Sequence, residues 1–569
     1  MANNVIYSPQ MLWKDFVSDL PLRETVICEE IGENFIWRDI RFLGRETGQG
    51  RVSIFATYAC SKSNGKRGAK KGALLIIGDY KETINRDLVN LYLKQGYNVL
   101  MVDYRGVNSE TENYTLYPEC ISHANYELSG RAIDYCDNTA IDTAWYEWVG
   151  VCKYALTFLQ SQPENGKIGV IGVKNGANVG WMLAGSDDRV DCFVAMFGCG
   201  WRAYKDVFKY SENDDILLTE ERVRFLAGVE SQAYAQNVKC PVLYLTATNS
   251  AEFDVDRSAD TLVRVPETFN FDIERYNCFA PRHTDVLDKC CSRNVELFLA
   301  KCLLDFKISF PVEPKLSIDV EGGRVKVKTE INFSDTKRAK RVEVYIAEGV
   351  ENPAFRDWNL MTEIKHGKSE MERNFIYDIT SNATFILVFV LVEYKNGITI
   401  CSKIQHKKIN KLTPKFNKLL YSSKDKTGSF GVYDVKKYSS CGLFFNDSDY
   451  LFLTEGAASI YGVCSKYGLV SYKVNNTYLT INESSLVKMD AYCMESAEVD
   501  VILMTYDNGV TEEFVAKLNL QGANVWQSLL IKAVEFKSAK GAIIKDYSKV
   551  CAIRIESQTA CIVNNILLI

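Results

Sequence analysis

The run from Lys167 to Gly180 (KIGVIGVKNGANVG) constrains the fold of this chain more than any other segment. Its apolar, β-branched first half reads as a buried strand, a turn bounded by Gly172 and Gly176 follows, and a small-residue run starts a helix. A sharp strand–turn–helix junction lifts its apex residue above the end of a sheet, and the apex here is Lys174. Such a junction belongs in a mainly parallel sheet covered by helices on both faces.

The neighbouring sequence agrees. Ala73–Ile77 reads as a short buried strand ending at Gly78, and Leu88–Leu93 as helical. Gly96–Gly106 reads as a strand with its exit loop, and Trp145–Gln160 has helical periodicity. Asp191–Gly198 and Pro241–Thr246 are two more buried strands, and a helix from about Leu287 to Leu304 closes this alternation. The predicted α/β domain spans residues 1–308. At Phe310-Pro311-Val312-Glu313-Pro314 the texture changes to period-two strands, among them Arg324–Thr329 and Val342–Ile346, with a hairpin signal at Asn396-Gly397. Residues 309–412 fit an immunoglobulin- or fibronectin-like sandwich. The interrupted basic stretch Lys407–Lys415 reads as a solvated linker. Residues 413–569, again strand-rich, suit a jelly-roll-like sandwich.

Composition narrows the function classes. Hydrophobic residues are 47% and charged residues 24% of 569, as in ordinary globular proteins, and a net charge of -5 offers no footprint for nucleic acid. No apolar run reaches the length of a membrane span, and the start lacks the basic-then-apolar order of a signal peptide. The 18 cysteines are scattered, many in apolar strands, without paired zinc spacing. These features predict a reduced, cytoplasmic protein with no metal, no cofactor, no nucleic-acid partner and no membrane partner. Oligomeric state is left open.

Four stretches carry a family resemblance: Gly96–Gly106; Trp145-Tyr146-Glu147-Trp148 through Leu159; the elbow through Asp188-Arg189-Val190; and Cys240 to Asn277. Together they resemble the bacterial acetyl xylan esterase and dienelactone hydrolase-like branch of the α/β-hydrolases. The fold class this implies is an α/β-hydrolase fold, a mainly parallel doubly wound sheet, followed by two all-β sandwich domains. The activity it implies is carboxylic-ester hydrolysis, which needs a nucleophile, a histidine base, an orienting acid and an oxyanion hole.

Each requirement meets a departure. Lys174 stands at the family's serine, and a lysine acylated by an ester would end as a stable amide. Ser250, in Thr246-Ala247-Thr248-Asn249-Ser250, replaces the matching aspartate, leaving Asp254 and Asp256 as candidate acids. Cys278 and Phe279 occupy the histidine positions, leaving the displaced His283 as candidate base, with His123 the other local histidine. The oxyanion loop reads Gly78-Asp79-Tyr80-Lys81-Glu82, placing a carboxylate where negative charge would develop. Cys199 is a substitute nucleophile without a placed histidine.

The leading expectation is therefore a catalytically impaired esterase-fold protein that keeps its cleft for binding or structure. One alternative is an active carboxylic-ester hydrolase, acetyl xylan esterase-like, using His283 with Asp254 or Asp256. The other is a carbohydrate-associated protein binding sugar through Tyr461, Tyr467, Tyr472 and Trp526 of its last domain. The expected ligand is accordingly a small ester or a carbohydrate.

Overall fold

The computed structural model describes the chain apart from residues 1–4, 63–69, 212–214, 269–270, 333–337, 365–370, 411–417, 429, 434–442, 445–450, 466–467, 476–478 and 480. Tyr467 and the end of the basic stretch, from Lys411 to Lys415, lie outside the described residues. The chain forms two units. The first comprises Met1–Leu245, Asp256–Asn277 and Val295–Ser309, and the second comprises Thr246–Val255, Cys278–Asn294 and Phe310–Ile569. The last passage from the first unit to the second falls between Ser309 and Phe310, and two earlier segments also belong to the second unit.

The first unit is built on a nine-stranded sheet. Its strands are β1 (Thr25–Ile31), β2 (Phe35–Thr47), β3 (Gly50–Ser61), β4 (Lys71–Ile77), β5 (Asn98–Val102), β6 (Asn165–Val173), β7 (Cys192–Met196) and β8 (Val242–Ala247). Two short strands, β9 (Glu267–Thr268) and β10 (Phe271–Asp272), pair only with each other, and β11 (Arg275–Ala280) completes the sheet. The order is β1-β2-β3-β5-β4-β6-β7-β8-β11. From β5 to β8 the paired neighbours are parallel, whereas β1, β2 and β3 form an antiparallel ribbon that joins β5. This order, with helices between the parallel strands, is that of the α/β-hydrolase fold. The antiparallel ribbon makes the sheet mixed.

Local sequence explains the helices nearest the site. The helix α1 (Pro9–Trp13) is capped by Ser8, and α2 (Arg86–Lys94) by Asn85, whose side chain accepts the Leu88 amide at 3.0 Å. Thr143 caps α3 (Ala144–Ser161), a helix apolar nearly all round and buried nearly all round, as expected of a core helix. The helix α4 (Asn175–Ala184) is buried at every position, and its small residues let it lie close to the sheet. Beyond it come α5 (Glu220–Gly228), α6 (Ser231–Tyr234), α7 (Val255–Leu262) and α8 (Lys289–Leu303).

In the second unit the described strands are antiparallel and form four sheets. Two lie within residues 315–408, where Val325, Val327 and Thr329 alternate inward along one strand and the hairpin at Asn396-Gly397 closes as expected. Phe385–Tyr394 is buried almost throughout, and Phe389 packs edge-on against Phe279 with ring centres 5.5 Å apart. The other two sheets, within residues 419–568, share one apolar core in which Val487, Met489 and Val563 of one sheet meet Val501, Leu503 and Ile553 of the other. Every described cysteine is a free thiol, and among the described residues no helix is long and apolar enough to cross a membrane.

Candidate functional site

The elbow forms at the carboxyl end of β6, in the middle of the sheet. Lys174 has φ 54° and ψ -121°, a conformation that side-chain-bearing residues rarely adopt. It is held by the Lys174 amide donating to the Met196 carbonyl at 2.8 Å and by the Lys174 carbonyl accepting from the Ala177 amide at 3.0 Å. The flanking glycines are a steric necessity of this turn. A Cβ on Gly172 would lie 2.5 Å from the Ala177 Cα, and one on Gly176 would lie 2.1 Å from the Gly78 carbonyl oxygen. Both glycines are required whatever side chain stands between them, so their presence reports the turn and not the chemistry.

The Lys174 side chain turns back against the protein. Only 6% of it is exposed, and its Nζ donates to Glu82 Oε1 at 3.0 Å. Glu82 sits on the loop after β4. Asp79 of the same loop is buried and accepts from Asn175 Nδ2 and from the Lys81 amide, both at 3.2 Å. Asn175 Oδ1 accepts from Arg202 at 2.6 Å, Arg202 also reaches Asp134 at 3.2 Å, and its guanidinium lies 5.2 Å from the Trp145 ring centre. Aromatic packing pins the loop from behind: Tyr80 meets Tyr126 at 4.7 Å and Trp148 at 5.3 Å between ring centres, and the Tyr104 hydroxyl donates to the Gly78 carbonyl at 2.5 Å. The recess left between Gly78, Asp79, Glu82 and Tyr104 measures about 10 Å³, room for about one water.

The candidate acids and base are placed in different settings. Asp256 is buried near the start of α7, in the first unit, and its carbonyl accepts from Lys209 Nζ at 3.0 Å. Asp254 is half-buried and belongs to the second unit, as does buried His283. The run Thr246–Ser250 works for that second unit. The Thr248 amide donates to the Ala280 carbonyl at 3.1 Å, the Asn249 amide to the His283 carbonyl at 2.9 Å, and Asn249 Nδ2 to the Arg356 carbonyl at 2.8 Å. Ser250 Oγ, at the position where the resemblance has an aspartate, donates to Asp285 Oδ1 at 3.0 Å. Cys278 lies 3.8 Å from the Cys291 sulfur, and hydrogen bonding with Cys291 and Cys401 together with burial holds its thiol well above the usual range. Cys199 is buried beside the elbow, where its carbonyl accepts from Thr261 at 2.6 Å. His123 is half-buried, and burial lowers its pKa from the ordinary value.

Within the first unit, then, the structure brings together Lys174, Asn175, Asp79, Glu82 and Arg202. The sequence reading named Lys174 and Asp79 and missed Glu82 and Arg202. Glu82 had a signal, lying on the same loop as Asp79, whereas nothing local marks Arg202. Among the described residues no cluster of three or more His, Cys, Asp or Glu is arranged to hold a metal ion.

No family model and no curated protein matches the chain. Solved structures do. Acetyl xylan esterase 1 from Thermoanaerobacterium sp. JW/SL YS485 aligns at 15% identity over 52% of this chain and 93% of its own, with a TM-score of 0.37. The acetyl xylan esterase from Paenibacillus sp. R4 gives 15% identity, 53% and 96% coverage and a TM-score of 0.40. The acylaminoacyl peptidase of Pyrococcus horikoshii gives 13% identity, 50% and 51% coverage and a TM-score of 0.35. Likeness at this level assigns no activity, and the fold assignment rests on the strand order and the elbow.

The aromatics of the last domain are placed unevenly. Tyr472 is buried against Phe355, which removes it from any sugar platform. Trp526 is half-buried, packs on Tyr492 and donates through Nε1 to the Ala457 carbonyl at 3.0 Å. Tyr461 is exposed, with its hydroxyl 3.2 Å from Glu455.

Proposed function

We propose that this chain is an esterase-fold protein that does not hydrolyse esters, its former catalytic cleft now serving as a structural junction. The observation that carries this reading is Lys174, buried at the apex of the elbow and paired with Glu82. An ester carbonyl must approach the apex residue and place its oxygen among amide donors. Here the apex amine is occupied by a carboxylate, a second carboxylate (Asp79) lies in the donor loop, and the neighbouring recess has room for about one water. Both carboxylates oppose the negative charge that develops in acyl transfer.

Restoring the hydroxyl alone tests this. The Lys174→Ser variant is expected to hydrolyse p-nitrophenyl acetate no faster than the parent chain and to stay unlabelled by a fluorophosphonate probe at position 174. Labelling at that position would show that base and oxyanion donors are in place, and would overturn the reading.

A further inference from the structure

A cavity of about 440 Å³ opens in the first unit at the edge of the sheet opposite the elbow. Its walls come from α1 and from the loops that lead into β7, β8 and β11, at the amino ends of β7 and β8, whereas Lys174 stands at a carboxyl end. The volume lies within the ordinary range of small-molecule pockets.

The lining has a definite chemistry. Trp13, Val238, Pro266 and Ile273 supply an apolar wall. Trp13 is fixed on three sides: stacked on Tyr146 at 4.7 Å, donating through Nε1 to the Tyr234 hydroxyl at 3.0 Å, and lying 4.9 Å from Lys153 Nζ. Two ammonium groups stand at the rim. Lys239 is neutralised by Asp188, with both carboxylate oxygens at 2.8 Å. Lys14 has no ion-pair or hydrogen-bond partner among the described residues, so the rim carries one uncompensated positive charge. Asn237 lines the same cavity. Its Oδ1 accepts from Gln10 Nε2 at 2.5 Å, while its Nδ2 is shielded and donates to no acceptor among the described residues.

From the combination of a rigid apolar wall and one unneutralised cation at the rim, we infer that this cavity binds a small monocarboxylate with an aromatic or branched aliphatic body. The body packs between Trp13 and Ile273, and the carboxylate meets Lys14. The inference is independent of the elbow and goes beyond the reading given above.

The test uses the full chain and 4-phenylbutanoate as probe, titrated by calorimetry or ligand-observed NMR, with neutral 4-phenylbutanamide beside it. The expected dissociation constant is about millimolar or tighter for a ligand of this size. Lys14→Met removes an exposed side chain, leaves the fold intact and is expected to weaken the carboxylate about threefold. Ile273→Trp fills the cavity and is expected to abolish binding, while both variants keep the parent's thermal midpoint to within a few degrees. No binding at about ten times that concentration, equal binding of acid and amide, or binding unchanged in both variants would each overturn the inference.

Discussion

At the residue scale the decisive change is electrostatic. A serine at the apex of the elbow would be small and neutral, whereas Lys174 brings a charge into a position 6% exposed and requires a counter-charge, supplied by Glu82. A second buried carboxylate makes a sharper prediction. Asp103, at the end of β5, accepts the Thr115 amide at 2.6 Å, and burial pushes its pKa up to about 6. The folded chain therefore holds this proton more tightly than the unfolded chain does. Between about pH 4 and about 6 unfolding releases the proton, so stability falls as pH rises through that window, by at most about 3 kcal/mol from this group. Asp103→Asn keeps an acceptor for Thr115 and is expected to flatten that component. The check is the difference in urea midpoint between pH 4 and 7, variant against parent, and equal differences would refute it. Legibility was partial at this scale. Lys174 and Asp79 are visible as departures from a pattern, but the Glu82 partnership spans 92 positions of sequence, and no local rule pairs them.

At the element scale the elbow was read correctly because a glycine on each side of an apex residue, after a buried apolar run, leaves little else for the backbone to do. The physical reason is contact: Gly176 faces the Gly78 and Ile77 carbonyls at 2.1 and 2.2 Å from where a Cβ would sit. Gly176→Ala is accordingly expected to cost about 3 kcal/mol or more, measured by chemical denaturation. A loss below about 1 kcal/mol would mean that the turn tolerates a side chain and that its glycines need another explanation. Among the parallel strands, β5, β7 and β8 were legible as short, fully buried apolar runs, and β4 and β6 are buried from Gly72 and from Ile168 onward. The ribbon β1–β3 was not. Every residue of β1 is exposed and β2 is half-exposed along most of its length, so neither shows the apolar run or clean alternation by which strands are recognised.

At the scale of the whole molecule the unexpected feature is how the chain is shared out. Thr246–Val255 and Cys278–Asn294 belong with the C-terminal sheets, tied there by Asn249 to the Arg356 carbonyl, by Phe279 to Phe389 and by Asn294 to Thr399. A linear reading places both segments in the first domain because their neighbours in sequence are there. The run Thr246–Ser250, where Ser250 stands at the resemblance's aspartate position, hydrogen-bonds to Ala280, His283 and Asp285 of the second unit. A fragment ending at residue 309 leaves both segments without these partners. It is expected to melt at a lower temperature and less cooperatively than the full chain, and a midpoint and cooperativity matching the full chain would contradict the assignment. Function at this scale reduces to whether the parts of an ester hydrolase work together anywhere in the molecule. The most direct measurement is the turnover of p-nitrophenyl acetate by the purified full chain, with His283→Ala and the combined Asp254→Asn, Asp256→Asn variant beside it. The expected result is a rate no higher than that of general surface catalysis, unsaturable and the same in all three proteins, whereas saturable turnover that disappears in His283→Ala would contradict the loss of hydrolysis.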